Sequence, residues 1–328
     1  MRPSVFVSRV IPEAGLSLVR AHCDADIWPE IMPPPYEVLR ERLRGKSGLL
    51  CTLNDRIDAA LIESAGPQLK VISQMAVGYD NIDVSAAYAH GIPVGNTPGV
   101  LTDATADLAF ALLLCAARRL VEGIEYIRAG RWKTWEPMAL LGGDLSGATL
   151  GILGLGRIGQ AVARRARGFD MRLIAHSPGA ASEDAARLGV ELVSFDELLR
   201  QSDYVTIHVP LNPQTRHLIN AAALKQMKPS AILVNTSRGG VVDQPALIDA
   251  LQNGVIAGAA LDVTDPEPLP ADHPLLSLPN AVVVPHIGSA SRRTRDNMAR
   301  MAAENLIAGV SGRPLPHAVP PLMSGAAR

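Results

Sequence analysis

Three polar residues in the C-terminal half of the chain have the types and surroundings that acid–base chemistry needs. His286 follows a β-branched run and a proline in "NAVVVPHIGSAS", Glu267 lies between two prolines in "ALDVTDPEPLP", and Arg238 precedes two glycines in "VNTSRGGVVDQ". An imidazole exchanges a proton near neutral pH, and a nearby carboxylate favours its charged form. A guanidinium grips a carboxylate through two parallel hydrogen bonds, so Arg238 suits an acid substrate. A lone carboxylate in a surface turn is usually only solvated. Here all three residues follow strand-like runs, and the carboxyl ends of strands in one parallel sheet open on one crevice. His273, in "LPADHPLLSLPN", falls in a proline-flanked loop and reads as a residue without catalytic duty.

A second constellation lies upstream. "GILGLGRIGQAVARR" carries Gly154, Gly156 and Gly159 in G-x-G-x-x-G spacing, after a strand-like run and at the start of a helical one. With 28 glycines in the chain the spacing alone is weak, and the strand-to-helix context makes it a dinucleotide signal. Gly154 permits the tight turn, Gly156 lets the backbone approach a pyrophosphate, and Gly159 lets the helix pack on the strand. The amides of Arg157 and Ile158 open that helix. An acidic residue about 20 positions on would hold the adenosine 2′-hydroxyl and repel a 2′-phosphate. The next strand ends "IAHSPGAAS", with Ser177 where the carboxylate is expected. That removes the block against NADP, although no arginine stands at positions 178–180 to clamp a phosphate; NADP(H) is favoured and NAD(H) stays open.

The elements that must position these residues are legible as alternation. Runs at 149–153, 171–175, 204–209, 231–235, 256–263 and 281–284 read as six strands separated by helical stretches, which predicts a doubly wound parallel sheet. The first hundred residues alternate more weakly. Strands are expected in "SVFVSRV", "SGLLCT", "KVISQMA" and "GIPVGN", and helices near 12–22, 35–44 and 56–65. A helix from Thr102 to Leu120 would link the two parts, and a final helix is expected over 292–310. The tail "GRPLPHAVPPLMSGAAR" is left without structure.

Bulk properties narrow the class. A chain of 328 residues with 48% hydrophobic residues predicts two α/β domains. With 31 basic and 32 acidic residues, no polyanion-binding surface, and so no nucleic-acid partner, is expected. Cys23, Cys51 and Cys115 are widely spaced and form no C-x-x-C pair, so neither a disulfide framework nor a metal site is expected, and reduced thiols point to the cytoplasm. "MRPSVFVSRVIPEAG" lacks the apolar length of a signal peptide. The apolar stretch 108–117 is shorter than the ~20 residues that cross a bilayer and reads as a helix buried on all sides, in a core or a subunit interface.

Taken in order, "SQMAVGYDNID", "NTPGVLTDATADLAFALLL", "GILGLGRIGQ", "NTSRGGVVD", "ALDVTDPEPLP" and "PHIGSAS" resemble the D-isomer-specific 2-hydroxyacid dehydrogenases over almost the whole chain. "RWKTWEP" and "DPEPLPADHPLL" make the likeness strongest to the glyoxylate/hydroxypyruvate reductases of that family. The resemblance implies a Rossmann dinucleotide-binding domain over 101–291. It also implies a smaller, flavodoxin-like substrate-binding domain from 1–100 plus 292–328. It makes His286 the acid/base, Glu267 its partner and Arg238 the substrate-binding arginine. It gives Val77 and Gly78 as the loop whose amides hold the substrate carboxylate. Thr102, Pro210, Thr215, Thr236, Asp262 and Gly288 join the glycine-rich residues, Ser177 and His286 at the cofactor. Trp135 is implied to reach a neighbouring subunit's substrate pocket, and the partner is a second copy in a homodimer. The close NADP-using relatives carry arginine just after the second strand, where this chain has "SPGA".

The implied reaction is hydride transfer from the reduced nicotinamide to a small 2-oxoacid, with His286 giving the proton. Two rivals stay open. Another D-2-hydroxyacid dehydrogenase, such as one for 3-phosphoglycerate, would need basic residues near the substrate loop; "SQMAVGYDNID" has none, with Lys70 and Arg56 not far off. A non-catalytic, cofactor-sensing corepressor would need only the dinucleotide site and a partner surface.

Overall fold

The computed structural model describes residues 2–321. The chain divides into two compact units: one formed by the residues up to Leu101 and again from Ala290 onward, the other by Thr102–Ser289.

The first unit runs β1 (Ser4–Val7), α1 (Glu13–His22), β2 (Asp24–Ile27), α2 (Tyr36–Leu43), β3 (Gly48–Cys51), α3 (Ala59–Ala65), β4 (Ile72–Gln74), α4 (Val84–Ala89) and β5 (Val94–Gly95). Its five strands are all parallel, in the order β2-β1-β3-β4-β5, which is the flavodoxin-like doubly wound order. β3 is apolar and buried along its whole length, as a strand covered on both faces must be. β2 and α4 lie outside the sequence-based expectation. β2 reads "DADI", whose aspartates disfavour strand, and it is tolerated at the sheet edge.

The second unit follows with α5 (Thr102–Ala117), α6 (Leu120–Arg128), β6 (Thr149–Leu153), α7 (Arg157–Ala166), β7 (Arg172–His176), α8 (Ser182–Leu188), β8 (Val190–Leu192), α9 (Phe195–Gln201), β9 (Tyr204–Ile207), α10 (Ala221–Gln226), β10 (Ile232–Asn235), α11 (Gln244–Gln252), β11 (Gly258–Leu261) and β12 (Ala281–Val283). The sheet order is β12-β11-β10-β9-β6-β7-β8, all parallel, the Rossmann arrangement with a seventh strand. The fold is α/β throughout. The strand count exceeds the six expected because β8 is three residues long at the sheet edge, and two of them are exposed.

The helix expected from Thr102 to Leu120 ends at Ala117. Arg119 takes a left-handed φ of 51°, and α6 starts anew after it. α5 is not buried on every side: Phe110, Leu112 and Leu113 enter the core, while Ala111 is exposed and Leu108 and Cys115 are half-buried. No residue of α6 is buried.

The chain returns to the first unit in α12 (Arg292–Val310). It lies against α1 so closely that a Cβ on Gly15 would come within 2.3 Å of the Ala299 carbonyl oxygen. The tail, expected to lack structure, is tied down where it is described. Val319 is buried, its N–H donates to the Val94 carbonyl, and Ala318 bridges Gly95 antiparallel. Among the described residues no helix is long and apolar enough to cross a membrane, and no three His, Cys, Asp or Glu residues group as a metal site.

Candidate active site

At the carboxyl edge of the seven-stranded sheet, every turn except the one after β8 carries a residue singled out above. The glycine-rich turn leaves β6. Gly154 has φ 95° and sits so near the next strand's exit that a Cβ would meet the His208 carbonyl carbon at 2.9 Å. A Cβ on Gly159 would lie 2.1 Å from the Gly154 carbonyl oxygen, so only glycine lets α7 descend onto the turn here. Gly156 differs: a Cβ there would meet nothing within 4 Å, and its exposed backbone caps α7 with the exposed Arg157 and half-buried Ile158 following. An open face over a ten-residue helix start suits close approach of a phosphate.

At the exit of β7, half-buried Ser177 begins a turn closed by the Ala180 N–H to its carbonyl at 2.9 Å. At the exit of β9, the half-buried His208 bonds Thr206 Oγ1 through Nε2 at 2.9 Å, while its buried Nδ1 has no partner among the described residues. Burial pushes this histidine down to about 3, which keeps it neutral. Thr215 folds the following loop by donating to the Pro210 carbonyl at 2.6 Å.

At the exit of β10, Asn235 organises the arginine turn. Its Oδ1 accepts from the Ser237 N–H at 3.0 Å and its Nδ2 donates to the Arg238 carbonyl at 2.9 Å. Arg238 is half-buried and donates from Nη1 to the Ser237 carbonyl at 2.9 Å. Thr236, between them, is 8% exposed, and its Oγ1 has no partner among the described residues. A buried hydroxyl without a partner is costly. With the open face over Gly156, it fits a dinucleotide along this edge.

The last two turns interlock. Asp262, the first residue after β11, is buried, and its carboxylate accepts the N–H of Ile287 at 2.6 Å and of Gly288 at 2.8 Å. Its carbonyl accepts the His286 N–H at 2.9 Å, and Thr105 on α5 donates to the Gly288 carbonyl at 3.3 Å. Burial raises the Asp262 carboxyl above its ordinary value, and the bonds from Ile287 and Gly288 pull it back. These contacts hold His286 at a left-handed φ of 52°, a conformation uncommon outside glycine. In that pose His286 Nδ1 meets Glu267 Oε1 at 2.6 Å, with both side chains about three-quarters buried, at 25% and 28% exposure. His273 caps a short 3-10 turn over Pro274–Ser277, its Nδ1 facing the Leu275 N–H at 3.3 Å.

Of the remaining expected residues, Thr102 opens α5. Val77 and Gly78 follow β4 in the first unit. The Val77 carbonyl accepts from Asn96 Nδ2 at 2.9 Å and the Gly78 carbonyl from Gln74 Nε2 at 3.2 Å. Trp135 lies in the segment after α6, 80% exposed. Sequence reasoning missed Asn235 and the partner-poor His208; a polar residue closing a buried strand was the available signal for both.

A glycine-rich strand-to-helix turn and an imidazole–carboxylate pair on one Rossmann sheet define a nicotinamide-dinucleotide-dependent dehydrogenase. Residues 110–288 match the model of the D-isomer specific 2-hydroxyacid dehydrogenase NAD binding domain. A glyoxylate reductase of Korarchaeum cryptofilum is 53% identical over 320 residues, which cover 97% of this chain and 96% of that protein. The crystal structure of a Thermus thermophilus protein superposes with a TM-score of 0.91 at 49% identity, covering 97% of this chain and 100% of that one. That of an NADPH-dependent glyoxylate/hydroxypyruvate reductase from Sinorhizobium meliloti, in complex with NADP and malonate, gives 0.86 at 34% identity, covering 97% of both. The chain belongs to the D-isomer-specific 2-hydroxyacid dehydrogenase family.

Proposed function

We propose that this protein reduces a small 2-oxoacid of the glyoxylate and hydroxypyruvate class to the D-2-hydroxyacid, with NADP(H) favoured and NAD(H) as the alternative. The reading is carried by the 2.6 Å contact of His286 Nδ1 with Glu267 Oε1. The carboxylate engages Nδ1, fixes the ring and leaves Nε2 as the nitrogen that can serve the substrate. The reduced nicotinamide, when bound, supplies the hydride. His286 gives its proton to the alkoxide oxygen that develops at the former carbonyl. Glu267 orients the ring and offsets its charge. Arg238 neutralises the substrate carboxylate and polarises the carbonyl, the electrostatic share of the rate, and the amides of Val77 and Gly78 hold the same carboxylate. Gly154, Gly156, Arg157, Ile158 and Gly159 seat the pyrophosphate. Thr102, Pro210, Thr215, Thr236, Asp262 and Gly288 line the rest of the cofactor. NADP(H) is favoured because Ser177 puts no carboxylate at the 2′-position. The substrate-binding domain is residues 1–100 with 292–328, and the dinucleotide domain is 101–291.

The working form is a homodimer in the cytoplasm. The free thiols of Cys23, Cys51 and Cys115 support a reducing compartment. Leu120, Ile124 and Ile127 of α6 are 49–58% exposed, and Trp132, Trp135 and Met138 beyond it are 64–80% exposed. Six large apolar side chains left exposed within one stretch of the chain support burial against a second copy, with Trp135 reaching the neighbour's substrate pocket. A steady-state matrix of glyoxylate, hydroxypyruvate and 3-phosphohydroxypyruvate against NADPH and NADH tests the substrate and cofactor. Turnover with the first two acids and loss of roughly 10²- to 10⁴-fold in H286A is expected. No oxoacid-dependent oxidation of either nucleotide would leave the cofactor-sensing reading, and sedimentation as a monomer at micromolar concentration would remove the dimer.

A further inference from the structure

Glu267 stands in the loop between β11 and β12, and something must fix that loop for its carboxylate to meet His286 at 2.6 Å. The loop leaves Asp262 through Thr264 and Asp265, and the peptide joining these two residues is held from two sides. On one side it touches Gly239, where a Cβ would fall 2.0 Å from the Thr264 carbonyl oxygen. On the other stands Gln244, the first residue of α11, 5% exposed, whose Oε1 accepts the Asp265 N–H at 3.0 Å. Thr264 then closes the turn by donating from Oγ1 to the Pro266 carbonyl at 2.8 Å, one residue before Glu267.

The donor inventory fixes the orientation of the Gln244 amide. A backbone N–H only donates, so the atom facing Asp265 is the oxygen, and Nε2 faces His273 Nε2 at 3.3 Å. His273 also faces the Leu275 N–H at 3.3 Å, and a neutral imidazole has one lone pair to offer. It serves one of these donors at a time, so the His273 contacts are the weaker part of the arrangement. The bond to Asp265 is the one Gln244 makes in either tautomer.

We infer that Gln244 is a positioning residue for the proton-donating pair: by holding the Asp265 N–H it sets the distance of Glu267 from His286, without touching either. The inference rests on the proposed roles of those two residues. Methionine at 244 matches the length of glutamine and removes the acceptor. Asparagine keeps the amide and shortens its reach by one methylene. Glutamate keeps the acceptor and lets His273 donate from Nε2 while Nδ1 accepts from Leu275.

The test is a double-mutant cycle of Q244M, Q244N and Q244E in the wild-type and E267Q backgrounds, reading kcat and KM for glyoxylate and the dinucleotide. Thermal unfolding of each variant identifies any that fails to fold, and Q244N then stands in for Q244M. Misplacement of a reacting group by about 1 Å costs up to about 100-fold. We expect Q244M and Q244N to lower kcat by about 10-fold, no more than removal of the Glu267 charge itself costs, with the dinucleotide KM within about twofold, and Q244E to stay within about threefold of wild type. In E267Q the same changes at 244 should cost no more than about threefold further, because the position being set no longer carries a charge. Equal losses in both backgrounds would make Gln244 a structural residue and overturn the inference. So would impaired E267Q with unimpaired Q244M and Q244N. Wild-type turnover in E267Q would instead overturn the role of Glu267, and the inference with it.

Discussion

Replacing Asp262 by asparagine asks what holds His286, the proposed proton donor, in its left-handed pose. The carboxylate accepts two backbone N–H groups at once, from Ile287 at 2.6 Å and Gly288 at 2.8 Å. Asparagine has the same shape but one acceptor, and turns an NH2 toward the second N–H. Two bonds to a charged acceptor, about 1.5–3 kcal/mol each, give way to one neutral bond of about 0.5–1.5 kcal/mol and one buried N–H with no acceptor. Against that loss, the amide is free of the burial penalty that raises the Asp262 carboxyl. That penalty offsets the surplus of the charged bonds, and the balance is a destabilisation of about 1–3 kcal/mol from the buried N–H left without an acceptor. For a unit the size of Thr102–Ser289 that lowers Tm by about 2–12 °C. The loosened turn also frees His286 from its φ of 52° and from Glu267, so kcat falls by up to about 100-fold.

The pH response separates this reading from simple loss of stability. The folded carboxyl is raised above its unfolded value, so ionised Asp262 opposes folding above that raised value. As pH falls through it toward the unfolded value, the folded state takes up the proton first and the opposition is relieved. Protonation also removes the charge that the two N–H groups meet and weakens one acceptor, so turnover falls over the same range in which this contribution to stability improves. D262N shows neither response. Thermal unfolding and glyoxylate reduction across that range measure both. A variant with wild-type Tm and with kcat within twofold would refute the clamp.

E267Q keeps a hydrogen bond to His286 and removes the charge. The surplus of a charged over a neutral bond is about 1–1.5 kcal/mol, so kcat at neutral pH should fall roughly 10-fold, and a drop of twofold or less would show that the charge is immaterial. G159A should cost at least about 3 kcal/mol of stability, since its Cβ would lie 2.1 Å from the Gly154 carbonyl oxygen. G156A meets nothing within 4 Å and should keep the wild-type Tm while weakening dinucleotide binding; calorimetric titration showing unchanged affinity would remove Gly156 from the cofactor site. His208, held to about 3, contributes stability that is complete above its unfolded value near 6.5 and is lost as pH falls from there toward 3. At pH 5 that loss is about 2 kcal/mol, and H208Q, neutral throughout, should lack this part of the acid dependence in urea unfolding.

What could be read in advance depended on whether a residue's chemistry is local. β6, β9 and β10 are buried along their length and mostly apolar because both faces of the central sheet are covered, and such runs announce themselves. The edge strands β2 and β8 are short and interrupted by acidic residues, because an edge needs no continuous apolar run, and both were missed. The break between α5 and α6 turns on one left-handed arginine, Arg119, which no propensity marks. The sequence likewise showed an apolar helix over 108–117 but not which of its sides a single chain leaves open.

The site divides in the same way. Arg238, Glu267 and His286 were legible because each is a reactive type placed where a strand ends. The way they are held was not: Asp262 was expected only at the cofactor, and Asn235 and Gln244 not at all, because all three act on backbone N–H and C=O groups, and a sequence does not say whose backbone a side chain will meet. Asp262 meets the amides of Ile287 and Gly288 only because β11 and β12 pair in parallel with Leu261 beside Val283, which brings two exits 25 residues apart to one level. A register slip of one residue would turn the Asp262 carboxylate to the other face of the sheet and leave both amides unpaired. The pairing of two short strands therefore governs the pose of the proposed proton donor as directly as any residue that touches it.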